Sequence, residues 1–301
     1  MRLKHLIAAT YAPMKKDASL NPDIIGAYGN FLQNNKVAGA FINGSTGDFA
    51  SLTVEERKLI VDAWSQNKPD GFQIINHVGH TSLNVAMDLT THAANKVDAI
   101  AALAPFYFRL NSMAKLVEYC ASIAACAPDL PFYYYHIPDL SGADFRMIDF
   151  MGVASKVIPN FAGLKFTKNN LIDYKYCLDF QDQAYDVLFG VDEIFISSLP
   201  LGAKGWVGST YNHLAPLYYK IKELVEQSDL EQAAALQAKA MRFVDSLNAK
   251  GGFNGVAKGY MKILGIDCGP SRFPHTTLTD EAYLEISKEL NAMGLSPYMC
   301  K

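Results

Sequence analysis

Eight short apolar segments, each followed by an amphipathic helical pattern, alternate through most of this chain, and few folds can satisfy that order. The strand-like segments span residues 6–10, 37–43, 72–78, 99–104, 132–137, 161–167, 187–191 and 205–209. The intervening stretches repeat apolar residues at helical spacing. The first carries Ile24, Tyr28, Phe31 and Leu32. The second opens on Thr53-Val54-Glu55-Glu56, a capping box with Thr53 as N-cap and Glu56 reaching back, and continues with Ile60, Val61 and Trp64. The third places Ala86, Leu89, Thr90 and Ala93 on one side. Strands separated by helices pair in parallel, with both sheet faces covered. Eight such units predict an α/β fold, a closed (β/α)8 TIM barrel. From about residue 229 onward only helical patterns remain: a stripe of Ala233, Leu236, Ala240, Phe243, Val244 and Leu247, then segments 256–264 and 281–293. No low-complexity linker intervenes, so the reading is a barrel over 1–228 and a C-terminal helical extension, 229–301, packed on it. Length alone suggests two domains, but α/β barrels reach roughly 250 residues as one domain.

Composition narrows the function classes. Half of the 301 residues are hydrophobic, ample for a large core. The net charge is −3, the pI is about 6.2, and the two signs are interspersed, which leaves no footprint for nucleic acid or a membrane surface. Cys120, Cys126, Cys177, Cys268 and Cys300 are odd in number and lack paired spacing, and no Cys/His cluster has zinc spacing. They read as reduced thiols of a cytoplasmic protein, with no metal site expected. The opening Met1-Arg2-Leu3-Lys4-His5 is basic, but the apolar stretch 6–9 is too short for a signal sequence, and no run is long enough to span a bilayer.

Lys165 is the most informative single residue. It lies within Phe161-Ala162-Gly163-Leu164-Lys165-Phe166-Thr167, where packing alone would favour Val or Ile. A charge taken out of water must be paired or neutralised. A desolvated lysine loses its proton more readily, and the neutral amine can attack a carbonyl to form a Schiff base. Strand alternation puts Ala162, Leu164 and Phe166 on one face and Gly163, Lys165 and Thr167 on the other. Gly163 then leaves room beside the lysine, and Thr167 adds a hydroxyl. The alternative is a lysine at an exposed strand end, reaching back to water.

In TIM barrels the active site gathers at the C-terminal strand ends. The second strand ends in Asn43-Gly44-Ser45-Thr46-Gly47-Asp48. A tight turn of this kind can converge backbone N–H groups and hydroxyls on a carboxylate, or be an ordinary glycine-rich turn. The fifth strand, Phe132-Tyr133-Tyr134-Tyr135-His136-Ile137, places Tyr135 near its end, as a proton shuttle or as a core aromatic. Tyr133 and Tyr134 read as core, and His136, on the face opposite Tyr135, as a structural hydrogen-bonding histidine. The seventh strand ends in Gly190-Val191-Asp192-Glu193 and the eighth in Gly208-Ser209-Thr210. Carboxylates and hydroxyls around a barrel mouth suit a polyhydroxy ligand, although Asp192 and Glu193 also suit the first turn of a helix. Buried lysine, anion-binding turn, tyrosine acid/base and polar rim together are what a Schiff-base lyase acting on a 2-oxo acid needs.

Gly44-Ser45-Thr46-Gly47, Tyr135-His136-Ile137-Pro138, Gly163-Leu164-Lys165, Gly190-Val191-Asp192-Glu193 and Gly208-Ser209-Thr210-Tyr211-Asn212 resemble the N-acetylneuraminate lyase branch of the dihydrodipicolinate synthase superfamily. The resemblance runs over most of the chain, in order and at the right strand ends. It implies a homotetramer that cleaves N-acetylneuraminate, a sialic acid, into pyruvate and N-acetylmannosamine without a metal or organic cofactor. It implies Lys165 as the Schiff-base lysine, Tyr135 as the acid/base, and Ser45 and Thr46 as the carboxylate-binding pair. Thr167, Gly190, Asp192, Glu193 and Ser209 become contacts for the sugar chain. Tyr107, in Pro105-Phe106-Tyr107, matches a tyrosine that a neighbouring subunit often contributes to the proton relay. Dihydrodipicolinate synthases carry an arginine just after the tyrosine strand. Leu140 stands there instead and cannot bind a second carboxylate. Asp48 departs from the glutamate usual in relatives and is expected to tune the loop rather than the chemistry. Two other readings stay open: a lyase of the superfamily acting on another 2-oxo sugar acid, and a non-catalytic binding or regulatory member.

Overall fold

The computed structural model describes residues 3–301; Met1 and Arg2, part of the basic start considered above, lie outside the described residues. Eight strands, β1 His5–Ala9, β2 Gly39–Ile42, β3 Gln73–His77, β4 Ala99–Ala102, β5 Phe132–His136, β6 Phe161–Phe166, β7 Asp186–Phe189 and β8 Gly205–Gly208, pair in chain order. All pairs are parallel, and β8 closes on β1 through Ile7↔Val207 and Ala8↔Gly208. The expected (β/α)8 barrel is the fold. β1 keeps the length of the apolar segment that announced it, shifted by one residue. From β2 to β8 each strand is shorter than its segment, because the chain leaves the ladder before its apolar character ends. Asn43 does this for β2 by adopting a positive φ of 56°.

The helices are α1 Ile25–Asn34, α2 Val54–Asn67, α3 Leu83–Ala93, α4 Met113–Ala124, α5 Pro138–Ser141, α6 Met147–Val157, α7 Leu171–Asp179, α8 Phe195–Ser198, α9 Tyr211–Glu226, α10 Leu230–Asn248, α11 Phe253–Tyr260 and α12 Asp280–Ala292. The capping box forms at the start of α2: Thr53 Oγ1 accepts from the Glu56 N–H at 3.1 Å, and Glu56 Oε2 accepts from the Thr53 N–H at 2.9 Å. Ile24 falls in a 3-10 turn just before α1, and Ile25 takes its place in the buried stripe beside Tyr28, Phe31 and Leu32. The apolar stripe of α10 is buried as its spacing predicts, and Phe243 and Leu247 share one buried cluster with Leu214 and Leu217 of α9 and Ile286 and Leu290 of α12. The second C-terminal pattern, 256–264, is an α-helix only from Phe253 to Tyr260 and finishes as a 3-10 turn, Met261–Leu264. No helix among the described residues is long and apolar enough to cross a membrane.

Period-two alternation divides the strands into two layers. Ile7, Phe41, Ile75, Ala101, Tyr133 and Val207 fill the barrel interior. Leu6, Ala40, Ile74, Tyr134, Leu164 and Phe166 face the helices. β6 breaks the pattern once. Phe132 of β5 pairs with Phe161, but the next residue, Tyr133, pairs with Gly163, so Ala162 is an extra residue in the ladder. Phe161 therefore faces the helices while Lys165, four residues on, faces inward. Ala162 packs against the interior cluster, not with Leu164 and Phe166 as simple alternation suggested. Gly163 also has a different role from the one expected. Its φ is 149°, and a Cβ there would overlap the carbonyl oxygen of Asp186 on β7. The space is used for the approach of the neighbouring backbone and not to make room around the lysine. Gly163→Ala should therefore destabilise the protein by on the order of 3 kcal/mol, from backbone strain together with the clash. Urea unfolding checks this, and a loss under 1 kcal/mol would contradict the bulge geometry.

Candidate active site

A cavity of about 330 Å³ opens at the C-terminal ends of the strands, the size of a small-ligand site. Ser45 and Thr46 line it from the turn after β2, Tyr135 from β5, and Lys165 and Thr167 from β6 and its end. Gly190, Asp192 and Glu193 after β7, and Ser209 after β8, complete the wall. Within one chain, Tyr107 is not part of it. That residue lies on the loop after β4, is 78% exposed, and packs edge-on against the ring of Phe108.

Lys165 is only 4% exposed, inside the barrel mouth, so it is not a strand-end lysine reaching out to water. Its Nζ lies over the rings of Tyr135, at 3.9 Å from the centroid, and Phe41, at 4.3 Å. Ring faces hold a cation weakly and present no acceptor that would fix the amine in place. The Tyr135 hydroxyl is 3.4 Å from Ser45 Oγ. The amine, the phenol and the hydroxyl turn thus converge on one space.

The turn is anchored from beneath. Asn43 Nδ2 donates to Asn76 Oδ1 at 2.9 Å and to the Arg57 carbonyl at 3.1 Å. His77 Nδ1 meets the Asn43 carbonyl at 2.7 Å, which assigns the proton to Nδ1 and leaves Nε2 to accept from the Leu103 N–H. Burial, reinforced by the Arg57 guanidinium, holds His77 neutral. Arg57 itself is buried, donates to the carbonyls of His77 and Gly79, and is pulled down to about 9 by burial. Asp48 takes a left-handed φ of 51°, and its carboxylate accepts from Ser51 Oγ at 2.7 Å with His275 Nε2 3.5 Å away.

On the opposite wall, Asp192 Oδ2 accepts from the Thr210 N–H at 2.9 Å and from Thr210 Oγ1 at 2.6 Å. Its Oδ1 has no hydrogen-bond partner among the described residues. Burial pushes the Asp192 carboxyl up, against the pull of Thr210 and Lys165. Burial and the neighbouring Asp192 also raise Glu193. Both glycines of this wall are places of close approach. A Cβ at Gly208 would overlap the Asp192 carboxylate, and one at Gly190 would overlap Thr167 Oγ1. Asp192 and Glu193 also open a short 3-10 turn, Asp192–Ile194, so the helix-start reading holds alongside the cavity-lining one.

Some of this site was not found by reading the strand ends. Gln237 of α10 donates to the Asp192 carbonyl at 3.1 Å and accepts from the Ile196 N–H at 2.9 Å. Asn254 of α11 lines the cavity and donates to the Ser45 carbonyl at 3.3 Å. The only sequence sign was Gln237 itself, a polar residue four positions after Ala233 on the apolar stripe of α10. Leu140 lies at the rim, lining the cavity while 62% exposed.

His136 departs from its expected role. It is fully buried, lies 5.2 Å from the Phe166 ring, and neither ring nitrogen has a hydrogen-bond partner among the described residues. It works as an aromatic filler, and burial lowers its pKa to about 4. The unfolded chain, with histidine near 6.5, then binds more protons between these two values, so stability is present at neutral pH and is lost as pH falls toward 4. This one group should cost about 2 kcal/mol between pH 7 and pH 5. His136→Phe should remove that loss and leave neutral-pH stability intact or higher. Urea unfolding at the two pH values measures the difference, and an unchanged pH slope would contradict a buried neutral imidazole.

A model of the dihydrodipicolinate synthetase family matches residues 2–293. The N-acetylneuraminate lyase of Rattus norvegicus is 37% identical over 300 residues, covering 97% of this chain and 93% of the rat protein. Among solved structures, the Proteus mirabilis N-acetylneuraminate lyase superposes with a TM-score of 0.93 at 34% identity, covering 97% of this chain and 99% of its own. A Ruminococcus gnavus sialic acid aldolase, solved as a catalytic lysine mutant, gives 0.90 at 29% identity, with 97% of each chain covered. The chain belongs to the dihydrodipicolinate synthetase family.

Proposed function

We propose that this protein is an N-acetylneuraminate lyase, a Schiff-base aldolase that cleaves N-acetylneuraminate into pyruvate and N-acetylmannosamine. The observation that carries the reading is the convergence of the Lys165 amine, the Tyr135 hydroxyl and the Ser45-Thr46 turn in one cavity. The chain's similarity to named N-acetylneuraminate lyases along nearly its whole length gives that cavity its substrate.

The proposed reaction runs in these steps. The Lys165 amine attacks the C2 ketone of the open-chain sugar, and loss of water leaves an iminium. Ser45 and Thr46 hold the adjacent carboxylate with hydroxyl and backbone donors. Tyr135, acting with that carboxylate, accepts the proton of the C4 hydroxyl. The C3–C4 bond breaks, its electrons pass into the iminium to give an enamine, and C4 leaves as the aldehyde of N-acetylmannosamine. Protonation of C3 and hydrolysis return the amine and release pyruvate. Thr167, Gly190, Asp192, Glu193 and Ser209 receive the hydroxyl-bearing chain. Asp192 and Thr167 line that part of the cavity and bring a carboxylate and a hydroxyl to it. Leu140, with no charge, favours this neutral chain over an aldehyde that bears a carboxylate. Tyr107 enters the relay from a second copy in a homotetramer, which fits its exposure and its absence from the lining of its own chain's cavity. The five free thiols suit a reducing compartment, the cytoplasm.

Two measurements test the reading. Pyruvate release from a panel of sialic acids and other 2-oxo sugar acids should be greatest with N-acetylneuraminate, and borohydride with pyruvate should inactivate the protein and add mass to the peptide containing Lys165. Labelling of another lysine, or a preference for a different sugar acid, would redirect the assignment. Tyr135→Phe keeps the ring packing and should lower turnover by about 10²–10⁴-fold with little change in stability. Near-unaltered turnover would remove Tyr135 from proton transfer.

A further inference from the structure

The turn that would receive the substrate carboxylate is held from outside by the C-terminal part of the chain. Arg272 is the centre of that contact. Its Nη1 donates to the Ser51 carbonyl at 2.9 Å and to Glu56 Oε2 at 2.7 Å, its Nη2 pairs with Glu56 Oε1 at 2.5 Å, and both Nε and Nη2 donate to the Ala18 carbonyl. The pair is largely shielded, with side-chain exposures of 21% and 19%. Two-pronged, charge-assisted geometry of this kind is stronger than a surface ion pair. Glu56 is also the reciprocal member of the capping box, so its carboxylate is already fixed by the start of α2.

A continuous chain of hydrogen bonds leads from Arg272 into the turn. Ser51, whose carbonyl Arg272 holds, donates from Oγ to Asp48 Oδ1 at 2.7 Å and from its N–H to the Asp48 carbonyl at 3.0 Å. Asp48 donates its N–H to the Ser45 carbonyl at 3.0 Å. Asn254 reaches the same Ser45 carbonyl, and His275 the Asp48 carboxylate. The turn has no strand partner over these residues, and Asp48 is held in a left-handed conformation. Its shape therefore depends on these contacts together with the anchoring of Asn43 from beneath.

We propose that Arg272 is a positioning residue: by fixing Ser51 and Glu56 it sets the turn of residues 45–51 so that Ser45 and Thr46 meet the carboxylate of the 2-oxo acid. This rests on the Schiff-base reading of the site. The competing role is purely structural, a stitch between the C-terminal segment and α2. The two differ in what they do to the two substrates of the reverse reaction. Pyruvate brings the carboxylate, and N-acetylmannosamine does not.

The test is steady-state condensation of pyruvate with N-acetylmannosamine by the full-length protein, with Arg272→Gln, Arg272→Lys and Glu56→Gln. Arg272→Gln should raise the half-saturating pyruvate concentration by roughly tenfold or more, from loss of a charged hydrogen-bond network. The KM for N-acetylmannosamine at saturating pyruvate should stay within about twofold, and Arg272→Lys should recover part of the pyruvate affinity. Glu56→Gln keeps an oxygen for the capping box, so it supplies a folded variant if Arg272→Gln does not fold, and it should show the same pattern more weakly. An unchanged pyruvate requirement in either variant, or both half-saturations rising together, would overturn the positioning role. A wild-type protein that forms no imine with pyruvate on Lys165 would overturn the reading of the site itself, and this proposal with it.

Discussion

One irregular ladder step decides where the Lys165 amine points. Between β5 and β6 the register gains a residue at Ala162, and Gly163 passes so close to the carbonyl of Asp186 that a Cβ would overlap it. Upstream of that step, Phe161 contributes to the packing between barrel and helices. Downstream of it, Lys165 and Thr167 face the cavity. Without the extra residue, Phe161 and Lys165 would share a face, and one of them would be on the wrong side of the sheet. The bulge lets one short strand serve both the outer core and the site.

The rest of the site is arranged around that amine in two unlike halves. On one side is a turn of hydroxyls and backbone donors, supported by neutral His77 and by buried Arg57, which stabilises strand ends through their carbonyls. On the other is a pair of carboxyl groups that burial pushes toward their neutral forms. In the proposed reaction these halves receive the two ends of a 2-oxo sugar acid: an anion at one, hydroxyl groups at the other. Tyr135 lies between them, near enough to Ser45 to share the turn's hydrogen bonding.

Much of this was legible in the sequence because parallel barrels obey two strong rules. Alternating strands and helices fix the topology, and strand C-termini fix where chemistry collects. Lys165, Tyr135, Ser45, Thr46, Asp192 and Ser209 could all be located from those rules before any coordinates. What escaped has physical reasons. A bulge leaves almost no trace in a hydrophobic pattern, so Ala162 and Gly163 were given the wrong roles. His136 was expected to hydrogen-bond because imidazoles usually do, yet its ring lies against Tyr134 and Phe166 and neither nitrogen has a hydrogen-bond partner among the described residues. Gln237, Asn254 and Arg272 come from helices and a segment whose sequence announces only amphipathicity. Their relation to the barrel mouth exists only once the chain has folded back on itself.

The rim of the cavity is shaped as much by missing atoms as by present ones. At Gly208 and Gly190 the strand ends leave out a side chain, and the Asp192 carboxylate and the Thr167 hydroxyl occupy the space. A binding surface built this way has an unusual evolutionary exposure. A change of ligand preference does not require a new polar group or the loss of an old one. A single added carbon at either glycine would push aside a carboxylate or a hydroxyl that the mutation itself never altered. Two relatives could thus carry identical polar residues around the mouth and still differ in the sugars they accept.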